Sequence, residues 1–248
     1  MSIEEKLSKM SSKQLKELCE QLDLPTSSKK AEMNSSIMNA VKELDTYKKE
    51  KVERYKRIEK LGSGKEGTTY LVEERDTKIR YAMKVFKAQK SHNRLKTEAL
   101  MLKRASKVGI SPMLVDIDIV SKYIVMELMD GHLIDLITKQ KGKLKEKQQE
   151  RIIEIFEALD KIKIFHGDIN MRNYMYKGEQ IYIIDFGMSK EIDGKFIAKH
   201  NILSPNIELM LIGFILKLKE ASCPSSSYKH LLKALPKSIA NKYFNFTE

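Results

Sequence analysis

An α+β protein of two lobes, with a small helical hairpin ahead of them, is what these 248 residues predict. Three observations point there. Residues 11–44 carry apolar residues at helical spacing, residues 55–87 read as alternating β-rich segments, and after Gly131 the pattern turns mostly helical. Strands first and helices second indicate a segregated α+β architecture. A hydrophobic share of 42% is enough for a core. No run of about 18 apolar residues occurs, so no membrane span is expected. The start, MSIEEKLSKM, is polar and acidic, unlike a secretory signal. Cys19 and Cys223 have no metal-type partners and read as reduced thiols of an intracellular protein, cytoplasmic or nuclear.

The hairpin occupies residues 1–46. Ser11 and Ser12 offer N-caps, with Gln14 three residues after Ser11 as in a capping box. Leu15, Leu18 and Leu22 form one stripe, Leu24-Pro25-Thr26-Ser27-Ser28 breaks the helix, and Met33, Ile37 and Val41 form a second stripe. Through Leu15, Leu18, Leu22, Leu24, Pro25, Lys30, Ala31, Glu32 and Met33 this stretch resembles the SAP motif, a helix-turn-helix module of DNA-associated proteins. The resemblance implies DNA as a partner of residues 1–46. It departs at Ser28 and Ser36, where glycine and arginine are usual. Charge argues the other way: residues 1–50 are neutral and contain no Arg, and the whole net charge of +12 lies in 51–248. A hairpin used for protein contact fits the same pattern.

Residues 47–58 belong to a charged connector, DTYKKEKVERYKRI. Its basic run reads as a solvated linker or helix face, or as a nuclear localisation patch. The first lobe, 59–130, opens with YKRIEKLG, TTYLVEE and IRYAMKVFK as strands, NRLKTEALMLKRAS as an amphipathic helix, and YIVMELM as a further strand. The second lobe, 131–248, is helical apart from the polar string HGDINMRN and the strand-like IYIIDFG.

Four features carry chemistry. Gly62-Ser63-Gly64-Lys65-Glu66-Gly67 has the G-x-G-x-x-G form between two strands, and such glycines let backbone amides approach phosphate oxygens. A flexible hairpin would explain it equally if it stood alone. Lys84 lies inside the apolar Ala82-Met83-Lys84-Val85, and a lysine there needs a partner. Glu98 is the one acid between Lys84 and Asp116. Asp185 ends an apolar strand before Phe186-Gly187, where it can hold a metal or simply form a turn. In HGDINMRN, Asp168 can take or orient a hydroxyl proton, and Asn173 offers a neutral oxygen for a metal shared with Asp185. His166 reads as a satisfied core histidine that braces the loop.

In this order these features resemble the protein kinases, over roughly residues 55–216. The resemblance implies a two-lobed kinase-like fold with ATP and Mg²⁺ as cofactors. Lys84 becomes the ligand of the α/β-phosphates, Glu98 its partner, Asp168 the catalytic base, and Asn173 and Asp185 the Mg²⁺ ligands. Gly62, Ser63, Gly64 and Gly67 cover the phosphates. Met126-Glu127-Leu128-Met129 is similar to the hinge, with backbone groups of Glu127 and Met129 meeting adenine, while Ala82 and Met175 sandwich its ring. The reaction implied is transfer of the ATP γ-phosphoryl to Ser/Thr hydroxyls of a protein substrate.

The pattern also departs. Gly167 stands where an Arg usually pairs with a phosphorylated activation loop, as in the vaccinia-related and the tRNA-modifying KEOPS kinases. That implies competence without loop phosphorylation. Asn170 replaces a usual Lys. Ser204-Pro205-Asn206 is similar to A-P-E only in its Pro, and IELMLIGFILKL resembles the central helix with Glu208 in the place of an Asp. Few residues follow, so the helical lobe is reduced, with YKHLLKAL as one remaining helix. Two other classes stay open: a small-molecule kinase of the aminoglycoside-phosphotransferase type, and a pseudokinase scaffold. Such a head on so compact a body would also suit a large DNA virus acting in its host cell.

Overall fold

In a computed structural model, residues 2–244 are described, with the side chains of 47–53 outside the description. The chain divides into two compact units, Met1–Lys56 with Arg75–Thr77, and Arg57–Glu74 with Lys78–Glu248.

The first unit holds three helices rather than a hairpin: α1 (Ile3–Lys9), α2 (Ser12–Gln21) and α3 (Lys30–Arg54). Ser2 and Ser11 each close a capping box, with Glu5 and Gln14, so four amides that a helix start leaves unpaired are satisfied by short local bonds. Leu7, Leu15, Cys19, Met33 and Ile37 form the core, which α1 completes with Leu7. Leu22, the last member of the predicted stripe, is largely exposed. The backbone of the stretch read as a connector is helical through Arg54, and strand begins at Tyr55. Its Lys, Glu and Arg residues are good helix formers, so composition alone can carry the helix onward.

The second unit begins with a five-stranded antiparallel sheet. Its strands are β1 (Tyr55–Ser63, whose first two residues lie in the other unit), β2 (Gly67–Glu74), β3 (Arg80–Phe86), β4 (Leu114–Asp118) and β5 (Tyr123–Glu127), in the order β1-β2-β3-β5-β4. Between β3 and β4 lies α4 (His92–Lys107), capped by Ser91 and burying Leu95, Glu98, Ala99, Met101, Leu102 and Ala105. The remainder is β6 (Gly131–His132), α5 (Leu133–Lys139), α6 (Glu146–Lys161), β7 (Ile164–Phe165), β8 (Tyr174–Lys177), β9 (Gln180–Ile183), β10 (Lys190–Glu191), α7 (Gly194–His200), α8 (Leu211–Glu220), α9 (Lys229–Ala234) and α10 (Lys237–Phe244). Strands β6, β8 and β9 form one small sheet, and β7 with β10 another.

One hydrophobic cluster runs from Phe86 and Leu95 through Phe186 to Phe214 and Leu231, so strands and helices share a core. At its centre Phe156, Tyr174 and Phe214 meet edge-on, with centroids 4.8 to 6.3 Å apart. Tyr174 directly follows the loop between β7 and β8, which carries HGDINMRN, and buried Phe186 directly follows Asp185 in the turn after β9.

Candidate active site

The glycine-rich loop joins β1 to β2. Gly62 and Gly64 face open space, and Ser63 is exposed, its hydroxyl 3.1 Å from that of Thr68. Gly67 differs: a Cβ there would stand 2.3 Å from the Val85 carbonyl oxygen, so close pairing with β3 demands glycine. The Gly64 amide donates to the Gly67 carbonyl at 2.8 Å and closes the turn.

Lys84, on β3, points its ammonium between two carboxylates, 2.8 Å from Glu98 Oε1 and 2.8 Å from Asp185 Oδ1. Burial pushes the Lys84 ammonium down, but the Glu98 and Asp185 carboxylates outweigh it and hold its pKa above the ordinary lysine value. Burial likewise raises the Asp185 carboxyl, and the nearby Lys84 overcomes this and holds it below the usual range. Asp185 has a left-handed backbone, φ +68°, which turns the chain sharply after β9 and sends Phe186 into the core.

The HGDINMRN loop is held from three sides. His166 is fully buried, its Nε2 is 3.0 Å from the Ile184 carbonyl oxygen, and its ring packs edge-on against Phe186 at 5.1 Å. Burial keeps this imidazole below its ordinary pKa and neutral. With Nε2 donating to Ile184, Nδ1 can accept from the Asp168 amide at 3.4 Å. Asp168 Oδ1 accepts from the Asn170 amide, and Asn170 Oδ1 accepts from the Arg172 amide, so Asn170 caps the short 3₁₀ turn Met171–Asn173. Asn170 is therefore engaged in building the loop, and both it and Arg172 are exposed.

Asn173 is buried, and its Nδ2 has no partner among the described residues. A half-turn of that amide would present an oxygen instead. An oxygen there and the partly exposed Asp185 carboxylate are both hard donors of the kind a divalent cation takes. At the expected adenine site, Ala82 on β3 pairs with Met126, Met175 on β8 is half-buried, and Met129 is buried. Glu127 ends β5, donates its amide to the Met113 carbonyl at 3.0 Å, and binds Lys177 through its carboxylate at 2.6 Å.

Three residues escaped the sequence reading. Lys90 binds Glu98 and Glu66, so Glu98 serves two lysines rather than one. The third is Asn206. It braces the start of HGDINMRN from the segment ahead of α8. Its Oδ1 accepts from the His166 amide at 3.1 Å, and its Nδ2 donates to the Ile164 carbonyl at 2.7 Å and to Asp160 Oδ1 at 2.6 Å. Glu208 is only half-buried. The helical start Asn206–Met210 has π-type turns. The amides of Asn206 and Ile207 also bind the Asp160 carboxylate. Burial nonetheless leaves the Asp160 carboxyl above its usual pKa. Nothing in the residue types Glu, Lys and Asn marked these three, because each acts through partners distant in sequence.

Residues 55–206 match the protein kinase domain family, which is more than half of the chain, and the chain belongs to it. Similar proteins include one of Methanosarcina acetivorans named for bifunctional tRNA threonylcarbamoyladenosine biosynthesis, 30% identical over 145 residues, 56% of this chain and 25% of that protein. A protein of Acanthamoeba polyphaga mimivirus, named as a serine/threonine-protein kinase, is 29% identical over 143 residues, 54% of this chain and 23% of the relative. Mitogen-activated protein kinase kinase 10 of Arabidopsis thaliana is 35% identical over 141 residues, 54% of this chain and 46% of the relative. The aligned stretch thus spans less than half of each of these relatives. Among the described residues no helix is long and apolar enough to cross a membrane.

Proposed function

We propose that this chain is an ATP- and Mg²⁺-dependent phosphotransferase, a Ser/Thr protein kinase that moves the ATP γ-phosphoryl to protein hydroxyls. The observation that carries the reading is Lys84 held at 2.8 Å from both Glu98 and Asp185. That pairing brings the strand lysine, the helix acid and the metal-type Asp to one point from three distant segments. Lys84 then steadies the α/β-phosphates, Asn173 and Asp185 ligate Mg²⁺, and Asp168 orients or accepts the hydroxyl proton. Positioning and charge neutralisation supply most of the rate. The mimivirus and Arabidopsis relatives support protein as the acceptor. A second reading has a specific support. Gly167 and the archaeal relatives favour a part in tRNA threonylcarbamoyladenosine biosynthesis. DNA contact through residues 1–46 remains a separate proposal, supported by the SAP-like spacing.

The test is a Mg-ATP assay read with casein, histone and autophosphorylation. Labelled protein is expected, and Lys84→Ala or Asp185→Ala is expected to abolish it with the fold intact by circular dichroism. Unchanged turnover in either variant overturns the assignment. Turnover only with small acceptors would move the chain to the small-molecule kinases, and none at all to the scaffolds.

A further inference from the structure

Lys90 lies in the turn between β3 and α4, and its side chain is only 5% exposed. A buried lysine far from water needs compensation, and this one has two carboxylates. Its Nζ is 2.6 Å from Glu66 Oε2 in the glycine-rich loop and also binds Glu98 Oε2 on α4. The Phe86 ring lies beneath both cations, 4.6 Å from the Lys90 ammonium and 5.0 Å from that of Lys84. Glu98 therefore divides its oxygens, Oε1 to Lys84 and Oε2 to Lys90. The Glu66 backbone is anchored as well, since its carbonyl accepts from the Lys87 amide at 2.9 Å. Its carboxylate rests on Gly187, where a Cβ would come within 2.6 Å of Glu66 Oε2.

Glu66, Glu98 and Asp185 bring one carboxylate oxygen each within 4.8 Å of one another, a spacing that by itself resembles a cation site. Two ammonium groups already pair with its three carboxylates and leave a single net negative charge, so it reads as an ion-pair chain, Glu66–Lys90–Glu98–Lys84–Asp185. Its five members come from the loop, the turn, α4, β3 and the end of β9.

We infer that Lys90 is a positioning residue that clips the glycine-rich loop onto α4 and couples loop closure to the seating of Lys84. The inference rests on the phosphotransfer reading of the site and adds to it a residue that touches no reacting atom. The clip acts in two directions. It draws the loop down over the phosphate position, and it orients Glu98 so that Oε1 faces Lys84. An ammonium here also balances Glu66, whose bare carboxylate would otherwise repel a nucleotide's phosphates.

The experiment compares Lys90→Met, Lys90→Arg and Glu66→Gln with the unaltered chain, and carries Lys84→Ala as a control. Three quantities are read: the affinity for a fluorescent ATP analogue with Mg²⁺, amide hydrogen exchange over residues 62–67, and the separate kcat and KM for ATP. Lys90→Met nearly conserves volume. It is expected to weaken nucleotide binding and raise KM for ATP by about tenfold, with up to roughly 10²-fold lost in kcat/KM, as a displaced positioning group costs. Exchange at 62–67 is expected to quicken while that of α6 stays unchanged. Lys90→Arg is expected to recover most of the affinity, and Glu66→Gln to shift it the same way as Lys90→Met but less. Unchanged affinity and exchange in Lys90→Met overturn the clip. So does tighter nucleotide binding by Glu66→Gln, which would make that carboxylate a blocker of the site. If Lys90→Met does not fold, Glu66→Gln, at a partly exposed position, decides alone. Binding and exchange do not require turnover, so an inactive wild type or an active Lys84→Ala sinks the phosphotransfer reading without touching this result.

Discussion

Replacing Asn206 with alanine removes three buried hydrogen bonds at once. The His166 amide and the Ile164 carbonyl lose their side-chain partner, and Asp160 loses the shortest of three donors. A hydrogen bond to a charged group contributes about 1.5–3 kcal/mol and each neutral one about 1 kcal/mol, with more lost where a buried group is left unpaired. Asp160 keeps the Asn206 and Ile207 amides, both at 3.1 Å, which limits its share. The expected loss is about 3–5 kcal/mol. With a urea slope near the upper end of the usual ~1–3 kcal/mol/M, the unfolding midpoint should fall by roughly 1–1.7 M. Asn206→Asp places a second carboxylate beside Asp160. It should be at least as damaging at neutral pH and recover partly as acid protonates one of the pair. Urea titration by fluorescence or circular dichroism measures both variants. A loss below about 1 kcal/mol for Asn206→Ala, or an Asp variant as stable as wild type at pH 7, would refute the bracing assigned to this residue.

Three further outcomes are expected. His166 has a folded-state pKa below its ordinary 6.5, so beneath that pH the unfolded chain binds a proton that the folded one refuses, and stability should fall with pH there. His166→Gln should flatten that slope, and an unchanged urea midpoint profile between pH 7.5 and 5.5 in the variant would contradict it. Gly167 sits at φ +76°, and a Cβ would lie 3.2 Å from the Met188 carbonyl. Gly167→Arg should therefore cost about 1–2 kcal/mol by urea titration, and phosphatase treatment of the wild type should leave turnover intact; an inert Arg substitution or phosphatase-sensitive turnover would speak against this. In a gel shift with duplex DNA, the full chain should bind at low salt and lose binding at high salt, and deleting residues 2–46 should weaken it. Equal binding by the two forms would assign the affinity to the basic body instead.

Legibility in the sequence followed the range of the interactions. Strands β1 to β3 and helix α4 were readable because alternation and helical stripes are written in adjacent residues. The Lys84–Glu98 pairing was readable for another reason, since no other acid lies between Lys84 and Asp116. Helix α1 was not, because its seven residues bury a single leucine, Leu7. Strand β4, LVDID, is too short and mixed to declare a period. Lys84–Asp185 spans 101 positions and Asn206–Asp160 spans 46, distances over which spacing carries no signal. Lys90 looked like one more surface lysine in a Lys-rich chain, and only the fold makes it a buried partner of two acids.

The two departures in HGDINMRN have a common physical cause. Gly167 allows a left-handed turn, and Asn170 spends its side-chain oxygen on the Arg172 amide of the 3₁₀ turn that positions Asn173. Each stands where a charged side chain is usual and serves the local backbone geometry instead. The other supports are also internal: His166 to Ile184, Asn206 to the His166 amide, and the Ile184 amide to the Asn173 carbonyl at 2.8 Å. On the phosphotransfer reading, a loop braced in this way would not need a phosphorylated segment to hold it through an arginine. Lys84 and Lys90 both stand at the junction of α4, the glycine-rich loop and Asp185, where three carboxylates meet two ammonium groups. A divalent cation held by Asp185 and Asn173 would turn that excess of one negative charge into an excess of one positive, facing the position of a nucleotide's phosphates. On the phosphotransfer reading, charge neutralisation would come from the strand side of the site, with the HGDINMRN loop supplying geometry.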